Sequence, residues 1–160
     1  MIVIGIDPGS ASIGYGVIKI INKKISHLEH GLISTSRDLP FPRRLKKISL
    51  EIGRLFRKHQ PRVIAIESVF FFKNLKTFIP VSRATGVIIL EAGKSRARIL
   101  EFAPPQIKSL IADNGRAEKD EVEKRVKKIL GLKKIDGPDD VADALAVALC
   151  AARQTLDSRS

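Results

Sequence analysis

Two short, unbroken apolar runs are each closed by a carboxylate: IVIGI at 2–6 by Asp7, and VIAI, within RVIAIE at 62–67, by Glu67. Neither run alternates polar with apolar residues and both are too short for a core helix, so each reads as a strand buried on both faces. Covering both faces of such strands takes helices on either side, which restricts the chain to a layered α/β architecture. A strand-end acid faces the crevice where open α/β sheets place ligands. If the two strands are neighbours, Asp7 and Glu67 share that crevice.

The remaining pattern agrees. IGYGVIKI (13–20) and KISHLEHGLIST (24–35) are β-rich and separated by a short turn at Asn22 and Lys23, giving a three-strand antiparallel meander with the first strand. Beyond Pro40, Leu45, Ile48, Ile52, Leu55 and Phe56 recur at helical spacing, with Arg43, Arg44, Lys46 and Lys47 mostly on other faces. After the strand ending at Glu67 come the stretch SVFFFKN, a helix to about Gly93, a strand ARILEFA (97–103) and a loop containing Pro104 and Pro105. A basic helix is predicted over about 118–130 and an alanine-rich one over 139–153, starting after Pro138. The order βββαβαβαα predicts a mixed five-stranded sheet, the meander plus parallel strands, flanked by α-helices. Residues 1–153 form the expected single domain, and 154–160 read as a short tail with no packing signal, open to disorder.

The 160 residues carry 29 Lys and Arg against 17 Asp and Glu, a formal charge of +12, which points to a polyanionic partner, nucleic acid before an anionic membrane surface. Cys150 is the only cysteine, so neither a disulfide nor a thiolate zinc site is available. The first apolar run is broken at Asp7-Pro8-Gly9, far short of a signal or membrane segment, and the expectation is a cytoplasmic protein.

Read alone, Asp7 can be a turn residue, since Asp-Pro-Gly is good turn chemistry, and Glu67 a cap. Asp143 is harder to dismiss. It lies about one turn into the last helix among Ala142, Ala144, Leu145, Ala146 and Val147, where an unpaired charge is costly. Asp140 at a spacing of three and Asp139 at a spacing of four both share its face, and spacing does not choose between them. Acids converging on one pocket raise one another's pKa unless a cation joins them. Oxygen ligands without a Cys or His cluster favour Mg²⁺ or Mn²⁺, and His27, His30 and His59 show no metal-binding spacing. A basic protein with such a site suits phosphodiester hydrolysis.

The segments GIDPGS…GYGVI (5–18), IAIESVF (64–70), FAPPQIKSLIADNGRAEKDEV (102–122) and DDVADALAVAL (139–149), in this order over nearly the whole chain, resemble the RuvC family of Holliday junction resolvases, within the RNase H-like nuclease superfamily. The resemblance implies an RNase H-like fold and a catalytic, metal-holding set of Asp7, Glu67, Asp140 and Asp143, which selects Asp140 over Asp139. It implies two Mg²⁺ ions per site, with Mn²⁺ able to substitute, and products with 5′-phosphate and 3′-hydroxyl ends. Lys108 and Lys119 match lysines that meet DNA near the scissile phosphate, Lys119 also counting with the catalytic set. Phe70 matches an aromatic that stacks on a junction base, and Lys73 beside it joins the DNA-binding set. A homodimer making paired nicks in four-way DNA junctions, in recombination and repair, is implied as well, with a branch-migration complex as a conceivable partner. Two departures stand out: Ser68 replaces a common Gln, and SRATG at 82–86 replaces GQARG, moving an arginine to Arg83. These bear on junction handling, not on the acids.

Three other readings compete. An RNase H-like nuclease acting on structured RNA would use the same acids. The glycine-rich first segment also resembles the phosphate loop of actin-like ATPases and sugar kinases, a fold that needs a much longer chain. A non-catalytic basic junction-binding protein would make the acids incidental caps, indifferent to Asp7→Asn.

Overall fold

A computed structural model describes residues 1–68 and 75–158. Five strands form one sheet: β1 (Ile2–Asp7), β2 (Ser12–Ile21), β3 (Lys24–Ser34), β4 (Val63–Glu67) and β5 (Arg98–Phe102). Their spatial order is β3-β2-β1-β4-β5, antiparallel across β3-β2-β1 and parallel across β1-β4-β5. Asn22 and Lys23 have φ of 49° and 64°, so both central residues of the β2–β3 hairpin are left-handed, as a two-residue turn matched to strand twist requires. The parallel strands are joined through α1 (Phe41–His59) and α2 (Leu75–Gly93), the long crossovers that parallel pairing demands.

The two buried runs divide their side chains between two cores. Ile4, Ile6, Ile64 and Ile66 face α1 and α2, where they meet Ile48, Ile52, Phe56 and Ile88. Val3, Val63 and Ala65 face the other way, against α5 (Asp139–Asp157) and its Leu145, Ala148 and Leu149. Fully burying a leucine contributes about 1.5–3 kcal/mol, so α5, buried along most of its length, is the main anchor of that layer.

Two expectations need correction. Pro104 and Pro105 do not mark a loop; they open a helix, α3 (Pro104–Ala112), which adds an element to the expected order. Proline is tolerated in the first helical turn because the N–H it lacks has no intrahelical acceptor there, so the same residues that break a helix inside start one here. The basic helix follows as α4 (Lys119–Leu130), ended by Gly131 at φ 67°. The last helix does not stop at Arg153 but runs to Asp157, because buried Thr155 and half-buried Leu156 prolong the apolar stripe from Ala152.

Candidate active site

Side-chain alternation and strand register place the first two acids. Along β1 and β4 the residues Val3, Val63 and Ala65 face α5, and the period of two carries Asp7 and Glu67 to the same face. Ile6 lies beside Ile66 in the parallel register, so both carboxylates leave adjacent strands at one level.

Three glycines then bring α5 to them. A Cβ added to Gly5 would lie 2.1 Å from the Ala144 carbonyl oxygen, one on Gly14 1.9 Å from that of Asp140, and one on Gly16 2.6 Å from Leu145 Cδ2. Without side chains at these points the helix backbone rests directly on β1 and β2. Gly14 is also the antiparallel partner of Asp7, so the first turn of α5 arrives beside that acid.

Asp7, Glu67 and Asp143 line one cleft of about 240 Å³, with Lys108 of α3, Lys119 of α4 and apolar Ile107 and Val122. This is below the roughly 300–1,000 Å³ typical of small-molecule sites, which speaks against a nucleoside triphosphate pocket. Burial, reinforced by Glu67, Asp143 and Asp140, pushes the Asp7 carboxyl up to about 8. Burial and then Asp143 push Glu67 up to about 7. Asp143 is also raised by burial, against the pull of Lys119, whose Nζ donates a 3.1 Å hydrogen bond to Asp143 Oδ2. Burial disfavours the Lys119 ammonium, yet Asp143, Asp139 and Asp7 outweigh it and hold its pKa above the ordinary lysine value. The cleft therefore crowds acids that resist ionising together, with the Lys119 ammonium held against Asp143.

The two remaining acids of α5 separate. Asp139 is exposed and only 3.9 Å from Lys119 Nζ, whereas Asp140 turns to the Ser12 hydroxyl at 2.7 Å and does not line the cleft. Among the described residues no three His, Cys, Asp or Glu side chains are gathered closely enough, as placed, to hold a metal ion. The donor chemistry nevertheless fits a hard divalent cation: all-oxygen ligands, two of them holding their protons near neutrality through burial and the charge of neighbouring carboxylates.

Phe70 and Lys73 lie outside the described residues. His27 and His30 bond each other on β3 at 2.7 Å and His59 bonds Glu29, all away from the cleft lining. Cys150 is buried and its thiol is pushed up to about 12, mainly by burial, so it is inert core. Ser68 donates its backbone N–H to the Phe102 carbonyl, and the displaced Arg83 sits 5.8 Å from the Phe41 ring centroid, which it shares with Arg44 at 5.5 Å. Sequence reasoning missed Ser12, because a serine at a strand start gives no sign of a partner on a helix far along the chain. It also missed the helix that carries Lys108, for which the Pro-Pro pair was the available signal.

The mixed five-stranded sheet with flanking helices is an RNase H-like fold, and it brings acids at the ends of adjacent strands and on a helix laid across them into one cleft with two lysines. The chain belongs to the RuvC family: the family profile described as "Crossover junction endodeoxyribonuclease RuvC" matches residues 3–151. A relative of that name from Thermosipho melanesiensis is 47% identical over 155 residues, covering 97% of this chain and 99% of the relative. The structure of Thermus thermophilus RuvC superposes with a TM-score of 0.89 at 32% identity, covering 98% of this chain and 97% of the other. The same protein in complex with a Holliday junction substrate gives 0.87 at 30% identity, covering 98% and 96%.

Proposed function

We propose that this chain is a metal-dependent endonuclease that resolves four-way DNA junctions. The observation that carries this reading is the shared cleft of Asp7, Glu67 and Asp143 under Lys108 and Lys119, in a member of a family whose solved relative holds a Holliday junction. Asp7, Glu67, Asp140 and Asp143 would hold the metal. Two Mg²⁺ ions held there, or Mn²⁺ in their place, would supply Lewis-acid activation of water and charge compensation at phosphorus, and attack with departure of the 3′-oxygen would leave 5′-phosphate and 3′-hydroxyl ends. Lys119 and Lys108 steady the scissile phosphate from the cleft rim, and Lys119 releases Asp143 as it does so. The exposed lysines and arginines of a +12 chain hold the remaining backbone. Exposed Leu50 on α1 and Ile79, Ile89 and Leu90 on α2 support a homodimer, which would present two cleavage sites to the near two-fold junction.

The direct test incubates the purified protein with labelled four-way DNA, linear duplex and structured RNA, each with and without Mg²⁺. Paired nicks confined to the four-way DNA with metal are expected. Preferential cutting of the RNA would transfer the reading to RNA processing, and junction binding with no cutting in any metal would leave a binding protein.

A linked expectation concerns pH. Unfolded, Asp7 and Glu67 lose their protons near 4; folded and metal-free they hold them to about 8 and about 7. The native state then binds more protons than the unfolded one, so metal-free stability is greatest at or below about pH 4 as far as these groups are concerned, and falls as pH rises toward 8. Up to about 1.4 kcal/mol per group and pH unit is involved. A bound cation relieves this repulsion, so the rise in Tm caused by Mg²⁺ should be larger at pH 8 than at pH 6. Calorimetry showing an equal or smaller rise at pH 8 would contradict it.

A further inference from the structure

Asp140 stands apart from the other three acids. It accepts a 2.7 Å hydrogen bond on Oδ2 from the hydroxyl of Ser12, a residue 128 positions away at the start of β2. We propose that Ser12 is a positioning residue whose hydroxyl sets the direction in which Asp140 offers its other oxygen to the cation, an assignment that rests on the metal-dependent reading above.

The need for such a device follows from where Asp140 sits. It is the second residue of α5, whose N-cap, Pro138, makes no side-chain cap bond. The first N–H groups of a helix have no intrahelical acceptor, and a carboxylate in that turn is drawn to them by hydrogen bonding and by the helix dipole. Left free, Asp140 has a competing destination on its own helix. The Ser12 hydroxyl engages it from β2 instead. A hydroxyl has one proton to donate, so Oδ2 is engaged and the lone pairs of Oδ1 stay available. The 2.7 Å separation is that of a fully formed O–H···O hydrogen bond.

Ser12 can direct another side chain because its own backbone is held. It pairs with Ser34 in the β2–β3 ladder. Just before it, the Ala11 carbonyl accepts the Thr35 N–H at 2.8 Å and the Thr35 hydroxyl at 3.3 Å. Arg44 of α1 donates to the Ser10 carbonyl and, at 3.2 Å, to Thr35 Oγ1. The segment leading from Asp7 to Ser12 is thus fastened to β3 and to α1. Across the seam, bare Gly14 lets the Asp140 backbone lie against β2, so donor and acceptor approach without an intervening side chain. Groups that orient metal ligands in this way typically change metal affinity or activity 10–100-fold when removed.

The experiment is a double-mutant cycle on the full chain: parent, Ser12→Ala, Asp140→Asn and the pair, with Ser12→Thr as the variant that keeps the hydroxyl. Mn²⁺ affinity is read by spin-resonance titration, Mg²⁺ dependence by single-turnover junction cleavage, and junction affinity in EDTA. Ser12→Ala should weaken Mn²⁺ by about tenfold or more and raise the Mg²⁺ needed for half-maximal cleavage by a like factor. Junction binding in EDTA should stay within about twofold, Ser12→Thr should return to near-parent Mn²⁺ affinity, and Ser12→Ala should do nothing further once Asp140 is Asn. Parent-like Mn²⁺ binding by Ser12→Ala, or the same loss in the Asp140→Asn background, would overturn the assignment while the metal reading stands. If the parent itself takes up no Mn²⁺, the metal reading falls and this inference with it.

Discussion

Asp7→Asn is expected to lower junction cleavage by about 10³-fold or more, equivalent to roughly 4 kcal/mol in the barrier, while junction binding is kept or strengthened. Asp7 is the acid that feels all the others: Glu67, Asp143 and Asp140 each raise its pKa, so it lies electrostatically at the centre of the group. Asparagine keeps the shape but removes the anionic oxygen that would hold metal, and it also removes a charge that repels phosphate. The same substitution should make the metal-free protein more stable near pH 8, because the carboxyl pushed up to about 8 by burial and its neighbours no longer has to be ionised there. Even about 1 kcal/mol of relief would raise Tm by 2–4 °C. Activity and stability moving in opposite directions distinguishes a functional acid from an incidental turn residue, whose loss lowers stability and leaves cleavage alone. Cleavage by the variant at the parent's rate would refute the proposed role.

The second large effect is expected at glycines that touch no substrate. Gly5→Ala puts a methyl where the Ala144 oxygen and Ala148 nitrogen would lie 2.1 and 2.4 Å away, and Gly14→Ala puts one 1.9 Å from the Asp140 oxygen. These are backbone atoms of α5, so no rotamer change gives way; the helix itself must shift from the sheet. Overpacking of a well-filled core typically costs about 1–3 kcal/mol and more when backbone must move. A fall in Tm of about 5–10 °C is expected for each. Gly14→Ala should in addition weaken cleavage, since the first turn of α5 carries Asp140 and Asp143. Gly93→Ala at the end of α2 serves as the contrast: nothing lies within 4 Å of its added Cβ and its φ is not positive, so a gain of a few tenths of a kcal/mol is expected. Thermal melts of the three variants check the signs, and a Gly5→Ala protein as stable as the parent would show that α5 is not seated on bare backbone.

Much of this was legible in the chain. The unbroken runs before Asp7 and Glu67 announced buried strands because β-branched residues with no polar alternation suit no other short element. Asp143, set among alanine, leucine and valine, announced a charge that needed a reason. The same kind of reading failed at Pro104 and Pro105, where the residue type that breaks helices was the first turn of one. It stopped short at Arg153 because Thr155 and Leu156 read as tail until the stripe they prolong is seen against a core.

The sequence by itself determined the element types and the strand-end position of two acids, since both follow from local periodicity and side-chain chemistry. Only the tertiary structure decided that Glu67 stands level with Asp7, that bare glycines seat α5 beside them, and that Asp140 turns to Ser12 while Asp143 turns to Lys119. Those choices depend on strand register and on backbone approach between segments far apart in the chain, and a spacing of three or four along one helix holds no information about either.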